Sequence, residues 1–199
     1  KDRDYLKRFP RIEYGCDYSG SQNNLNLKIR VFNADDSKQY FGSNNFGFSD
    51  KIISQGYLPI HIHISNESNC RYTLRPSYLD LTVQPSNRIA KILHVDTYNY
   101  VMLCTVPAIL FYWQALPIFI IPMGLNMRRS NKKITENLQH NALQTWKDVT
   151  IAPYEAIDKF IFVHTRDFKQ NFTLKLFNED ERSLLTFSVD LVCGVEFMQ

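Results

Sequence analysis

A chain of 199 residues is long enough for one domain with a full hydrophobic core plus an embellishment, and too short for two independent enzyme-sized units. The net charge of +3 comes from 23 Lys and Arg against 20 Asp and Glu. These bases are scattered along the chain rather than gathered on one periodic face, which argues against a nucleic-acid partner. Aromatic residues make up 14% and Gly and Pro are few, a composition that excludes a disordered or low-complexity chain.

Residues 1–24 read as an irregular polar leader, in which Ser19-Gly20-Ser21-Gln22-Asn23-Asn24 is expected to be a loop. The chain starts at Lys1 without an apolar targeting run, so any lipid anchor is expected upstream. From Leu25 the pattern alternates strictly. Leu25, Leu27, Ile29 and Val31 fall on one face and Asn26, Lys28 and Arg30 on the other, the signature of a half-buried strand. Residues 35–41 can form a short helix capped by Asp35 or Asp36, and Gly42 to Ser49 reads as a loop.

Gly56 to Asn66 holds the clearest strand, with Ile60, Ile62 and Ile64 pointing one way, His61 and His63 the other, and Pro59 near the start. Asn66 to Asn69 then turns the chain into two expected strands, Tyr72 to Leu74 and Leu79 to Val83. Ser86 to Asp96 spaces Ile89, Ile92 and Leu93 as a helix would, with Pro85 and Ser86 at its start.

Thr97 to Met127 carries no charge, and Val101 to Met123 is almost continuously apolar. That length meets the roughly 20 residues needed to cross a bilayer. Pro107, Pro117 and Pro122 speak against one straight span, because an internal proline costs a helix about 3 kcal/mol. A hairpin or broken helix is expected instead, buried in a protein partner or in lipid, with Phe111, Tyr112, Trp113, Ile118, Phe119 and Ile120 as its contact residues. Lys132 to Lys147 reads as an amphipathic helix whose apolar positions include Ile134, Leu138 and Trp146.

Ile157 to Val163, Asn171 to Phe177 and Leu184 to Val192 return to strands separated by charged turns. The expected fold is therefore mainly β, of the α+β kind. It is an Ig-like antiparallel β-sandwich over residues 25–192, interrupted by a helical, apolar, hairpin-like insertion at 86–148 and followed by a tail at 193–199.

Catalysis has no visible carrier: the chain has no GxSxG, no HExxH and no phosphate-binding Gly loop, and no cofactor is expected. His61 and His63 face one side of a strand and would hold a metal only if a third ligand arrived from a neighbouring strand. Solvent-side alternation explains them without a metal, and no metal site is expected. Asn66-Glu67-Ser68 and Asn171-Phe172-Thr173 fit the glycosylation pattern and are read as turn or strand residues. Cys16, Cys70, Cys104 and Cys193 lack zinc or redox spacing, leaving one disulfide or four thiols open.

The order of motifs also carries a resemblance. A strand ends near Phe32-Asn33, Asp36-Ser37-Lys38-Gln39-Tyr40-Phe41-Gly42 follows, and then Ile52-Ile53-Ser54-Gln55-Gly56-Tyr57-Leu58-Pro59-Ile60 leads into Ile64-Ser65-Asn66-Glu67-Ser68. Over residues 25–192 this resembles envelope lipoproteins of Legionella, Coxiella and chlamydia-like bacteria. The resemblance implies an accessory subunit of the outer-membrane core complex of a Dot/Icm-like type IV secretion system. By that likeness the protein would be a non-enzymatic scaffold on the periplasmic face of the outer membrane, contacting other envelope proteins. The alternative is a membrane-inserted or lipid-binding envelope protein acting outside such a complex.

Overall fold

A computed structural model of the chain describes residues 18–33, 36–37, 49–94 and 116–191, with the side chains of 49–51 and 116–123 excepted. Eight strands form two antiparallel four-stranded sheets, as expected of a mainly β chain. The strands are β1 (Tyr18–Gln22), β2 (Leu25–Val31), β3 (Tyr57–Asn66), β4 (Tyr72–Leu79), β5 (Val149–Ile151), β6 (Ala156–His164), β7 (Asn171–Asn178) and β8 (Ser183–Asp190). The first sheet runs β1-β2-β3-β6 and the second β5-β4-β7-β8. Among the described residues the longer helices that accompany them are α1 (Ser49–Ser54), α2 (Ser86–Leu93) and α3 (Leu116–Asn141).

The period-two pattern sets which face each strand buries. In the first sheet Leu27 lies opposite Ile64, Ile29 opposite Ile62 and Val31 opposite Ile60, and Leu27, Ile29, Ile60, Ile62 and Ile64 are fully buried. In the second sheet Phe172, Leu174 and Leu176 lie opposite Val189, Phe187 and Leu185. These inner faces join in one core between the sheets. Each wholly buried aliphatic side chain contributes about 1.5–3 kcal/mol through the water it leaves.

A second apolar cluster covers the other face of the first sheet. Phe160 and Phe162 of β6, Tyr57 of β3 and Phe32 meet Ile52 of α1, Ile89, Ala90 and Leu93 of α2, and Leu138 of α3, with Ala142 just beyond it. The helices are thus a third layer over part of the sandwich.

Several elements depart from the sequence reading. Tyr18–Gln22, expected as loop, is strand β1, joined to β2 by Asn23 and Asn24 at φ 50° and 58°. Two successive left-handed residues make the tight turn whose twist matches a hairpin, and Asn tolerates that conformation better than most residues. The first of the two strands expected between Tyr72 and Val83 extends as β4 to Leu79, with a register shift between Leu74 and Leu79 around Pro76, and the second, expected from Leu79 to Val83, does not form. Val83 then crosses to bridge Val163 at the outer edge of β6. Residues 49–54 form helix α1, which the loop expected up to Ser49 did not foresee.

Helix α3 also differs. It begins at Leu116 and runs through Pro122 without interruption, whereas the sequence suggests a break there and a new helix near Lys132. Pro117 sits in the first turn, where its missing N–H costs little. The helix stops at Asn141 rather than near Lys147, because Ala142 bridges Phe160 and the Leu143 N–H donates to the Phe160 carbonyl at 2.7 Å. Trp146 consequently lies in a turn, 68% exposed, and not on an amphipathic helix face. Within the described residues no helix is long and apolar enough to cross a membrane. Asp36 and Ser37 are helical; the rest of the short helix expected at 35–41 lies outside the described residues.

Candidate functional site

The outer face of the first sheet carries its polar side chains in rows set by register. Lys28 of β2, His63 of β3 and Asp158 of β6 lie across from one another, and in the next row Arg30 pairs with His61 and His61 with Phe160. The sequence places both histidines on one face, yet gives no sign of their partner, which is 95 positions away from His63 and meets it only through β3–β6 pairing.

His61 Nε2 approaches Asp158 Oδ1 at 3.1 Å and His63 Nδ1 approaches the same oxygen at 2.8 Å. A carboxylate only accepts, so each of these ring nitrogens carries the hydrogen and donates it. Burial alone would raise the Asp158 carboxyl. Hydrogen bonds from His61 and His63, reinforced by their charge, overcome that and hold it well below the usual carboxylate range. His61 is braced by Phe160, with ring centroids 4.9 Å apart, and by Phe32 at 6.3 Å. Nearby, Arg30 Nη2 contacts both oxygens of Asp36, at 2.9 and 3.1 Å. Among the described residues no three His, Cys, Asp or Glu side chains are placed to hold a metal ion.

Beside this cluster lies an open polar groove of about 520 Å³ lined by Ser19, Gly20 and Ser21 of β1, Asn26 and Lys28 of β2, His63 and Ser65 of β3, and Glu67. The Asn26 amide donates to Glu67 Oε1 at 2.7 Å, closing one end of the groove. Its chemistry is that of a hydrogen-bonding surface with one cation and one carboxylate.

Asn66 is not an exposed acceptor site. It is 1% exposed, its amide nitrogen donates to the Cys70 and Ala152 carbonyls at 2.8 and 2.9 Å, and its oxygen accepts from the Ser68 N–H and hydroxyl. The side chain ties the β3–β4 crossing to the loop after β5, a structural role that accords with the turn reading. Asn171 opens strand β7 and is exposed. Cys70 is a half-buried free thiol, while Cys16, Cys104 and Cys193 lie outside the described residues.

Of the contact residues expected in the apolar segment, Phe111, Tyr112 and Trp113 lie outside the described residues. Ile118, Phe119 and Ile120 fall in the first turns of α3, where the backbone is helical. The rest of α3 is fastened to the sandwich. Leu138 is buried in the second cluster with Ile134 against it, and His94 Nε2 meets Thr135 Oγ1 at 2.8 Å. Buried Gln144 binds the ends of two helices together. Its amide donates to the Gln139 and Ala142 carbonyls at 3.0 and 3.2 Å, and its oxygen accepts from the Ser86 hydroxyl at 2.8 Å. Sequence reasoning missed Gln144, since a lone Gln past a helix carries no pattern. Compared with family models, with curated proteins and with solved structures, the chain finds no match in any of the three.

Proposed function

We propose that this protein is a non-enzymatic structural subunit of a bacterial envelope assembly, of the kind represented by the outer-membrane core complex of a Dot/Icm-like type IV secretion system. The observation that carries the reading is the join between the apolar segment and the sandwich. The sequence from Val101 to Met123 is almost wholly apolar, and its last turns, from Leu116, belong to the same continuous helix whose far end is locked down by Leu138, Thr135 and Gln144. A contact segment carried on a rigid, packed support loses little conformational entropy when it docks, which is how a scaffold subunit gains affinity. Leu125, on the same helix, is 49% exposed and lies outside the clusters that pack α3 on the sandwich.

In this reading the partners are other envelope proteins, and the apolar segment, with Phe111, Tyr112, Trp113, Ile118, Phe119 and Ile120, supplies the contact. The test is the native size of the protein extracted gently from the envelope, by native electrophoresis with mass-spectrometric identification. Migration in a large particle with other envelope proteins is the expected result. Migration as a small detergent-bound species would favour a lipid-binding role instead. Removing residues 101–125 should abolish the large particle while leaving the near-UV circular dichroism of the sandwich intact; loss of that spectrum would make the segment part of the core.

A further inference from the structure

Helix α3 turns one side to the protein. Met127 and Leu138 are buried, Asn131 and Ile134 are half-buried between them, and Ile134 and Leu138 belong to the second apolar cluster. Spacings of four, three and four residues keep these positions on one side of a helix. The fastening to α2 lies toward the C-terminal end, where His94 Nε2 meets Thr135 Oγ1 and the Ser86 hydroxyl donates to Gln144.

The opposite side of α3 is basic. Arg128, Arg129, Lys132 and Lys133 are all exposed, a local grouping in a chain whose bases are otherwise scattered. At about 100° per residue the four fall within an arc of about 140°, facing away from the stripe of Met127 and Leu138. Exposed Leu125 falls inside the same arc. Glu136 is the one acid in the sequence of this helix, and its carboxylate meets Lys132 Nζ at 3.7 Å. Among the described residues no carboxylate pairs with Arg128 or Arg129. Four cations against one carboxylate give this side a clear positive excess, which suits an anionic partner.

What adjoins the cations selects the occupant. From Leu116 to Met127 the sequence of the same helix is uncharged and mostly apolar, and the absence of charge extends back to Thr97. An apolar stretch that ends abruptly in Arg and Lys is the pattern by which a chain meets a bilayer surface, with the cations at the phosphates. An acidic protein face would match the cations but not the exposed Leu125 among them, which the boundary between headgroups and acyl chains accommodates. We infer that the exposed side of α3, Leu125 with Arg128, Arg129, Lys132 and Lys133, is a contact surface for the anionic phospholipid headgroups of a membrane. The guanidinium groups grip phosphate oxygens in pairs, and the ammonium groups act as point charges. This contact is peripheral and separate from the docking of the apolar segment on partner proteins, and it holds whether or not the protein sits in a larger particle.

The test is flotation of the full chain with vesicles of phosphatidylcholine alone and of phosphatidylcholine with about 30% phosphatidylglycerol. The quantity read is the ratio of the two affinities, because insertion of an uncharged segment does not depend on lipid charge. A base near an anionic surface strengthens binding about fivefold. The wild-type ratio is therefore expected to be about a hundredfold and to fall as salt is added. Arg128→Gln together with Arg129→Gln should lower the ratio about twentyfold, and Glu136→Gln should raise it about fivefold, a gain that damage to the fold would not produce. A ratio near one, or a ratio indifferent to both sets of substitutions, would overturn the proposal. So would soluble polyglutamate bound at least as tightly as the anionic vesicles and lost with the same two arginines, which would assign the face to an acidic protein. The native particle size, which tests the scaffold reading, is a separate measurement, so the two can fail independently.

Discussion

At the scale of single residues, the polar side chains that matter here are those whose partners come from far along the chain. Asn66 satisfies two carbonyls from different loops at once, and replacing it with Ala would leave both buried acceptors and Ser68 without it. Asn66→Ala is expected to cost about 3 kcal/mol, read from urea unfolding, because each unsatisfied buried group costs about 1–3 kcal/mol. Asp158 is held ionised in the folded state by the two histidines, so its folded pKa lies below its unfolded value. The stability it contributes is present above the unfolded value of about 4 and lost as the pH falls toward the folded one. With 61% of its side chain in water the effect is moderated by solvent. Urea midpoints of the wild type should accordingly fall more steeply from pH 5 to pH 3 than those of Asp158→Asn; equal slopes would remove the histidine–carboxylate cluster from the account of acid stability.

At the scale of elements, the strands with clean alternation were legible in the chain, and the helix boundaries were not. β2, β3, β7 and β8 were readable because one face of each is buried, and a half-buried strand must alternate. The end of α3 at Asn141 is decided by β6, which draws Ala142 and Leu143 onto its edge, and by Gln144, which takes up carbonyls at the helix end. Gln144→Leu keeps the volume and removes those bonds along with the one to Ser86. It should cost about 2 kcal/mol, and hydrogen exchange should show faster opening in α2 and α3 with little change in β7 and β8. Uniform loss of protection would mean that the helical layer and the sandwich unfold as one unit.

At the scale of the whole molecule, two apolar clusters share the first sheet as a common wall, one against the second sheet and one against the helices. Ile62, fully buried in the first cluster, is a direct probe of that wall: Ile62→Ala should cost about 2–5 kcal/mol by chemical denaturation, whereas Lys28→Ala on the polar face should change stability by less than about 0.5 kcal/mol. An immunoglobulin-like strand order is a finer expectation than two four-stranded antiparallel sheets establish.

The sequence by itself determined which faces of the long strands are buried, that His61 and His63 stand together, and that an uncharged apolar segment interrupts the β pattern, because side-chain alternation and local composition are properties of neighbouring residues. Tertiary structure alone decided that Asp158 meets those histidines, that Gln144 joins two helix ends, and that Asn23-Asn24 closes a hairpin from residues resembling a loop. Each of those depends on strand order and register between segments tens of residues apart, which no local pattern encodes.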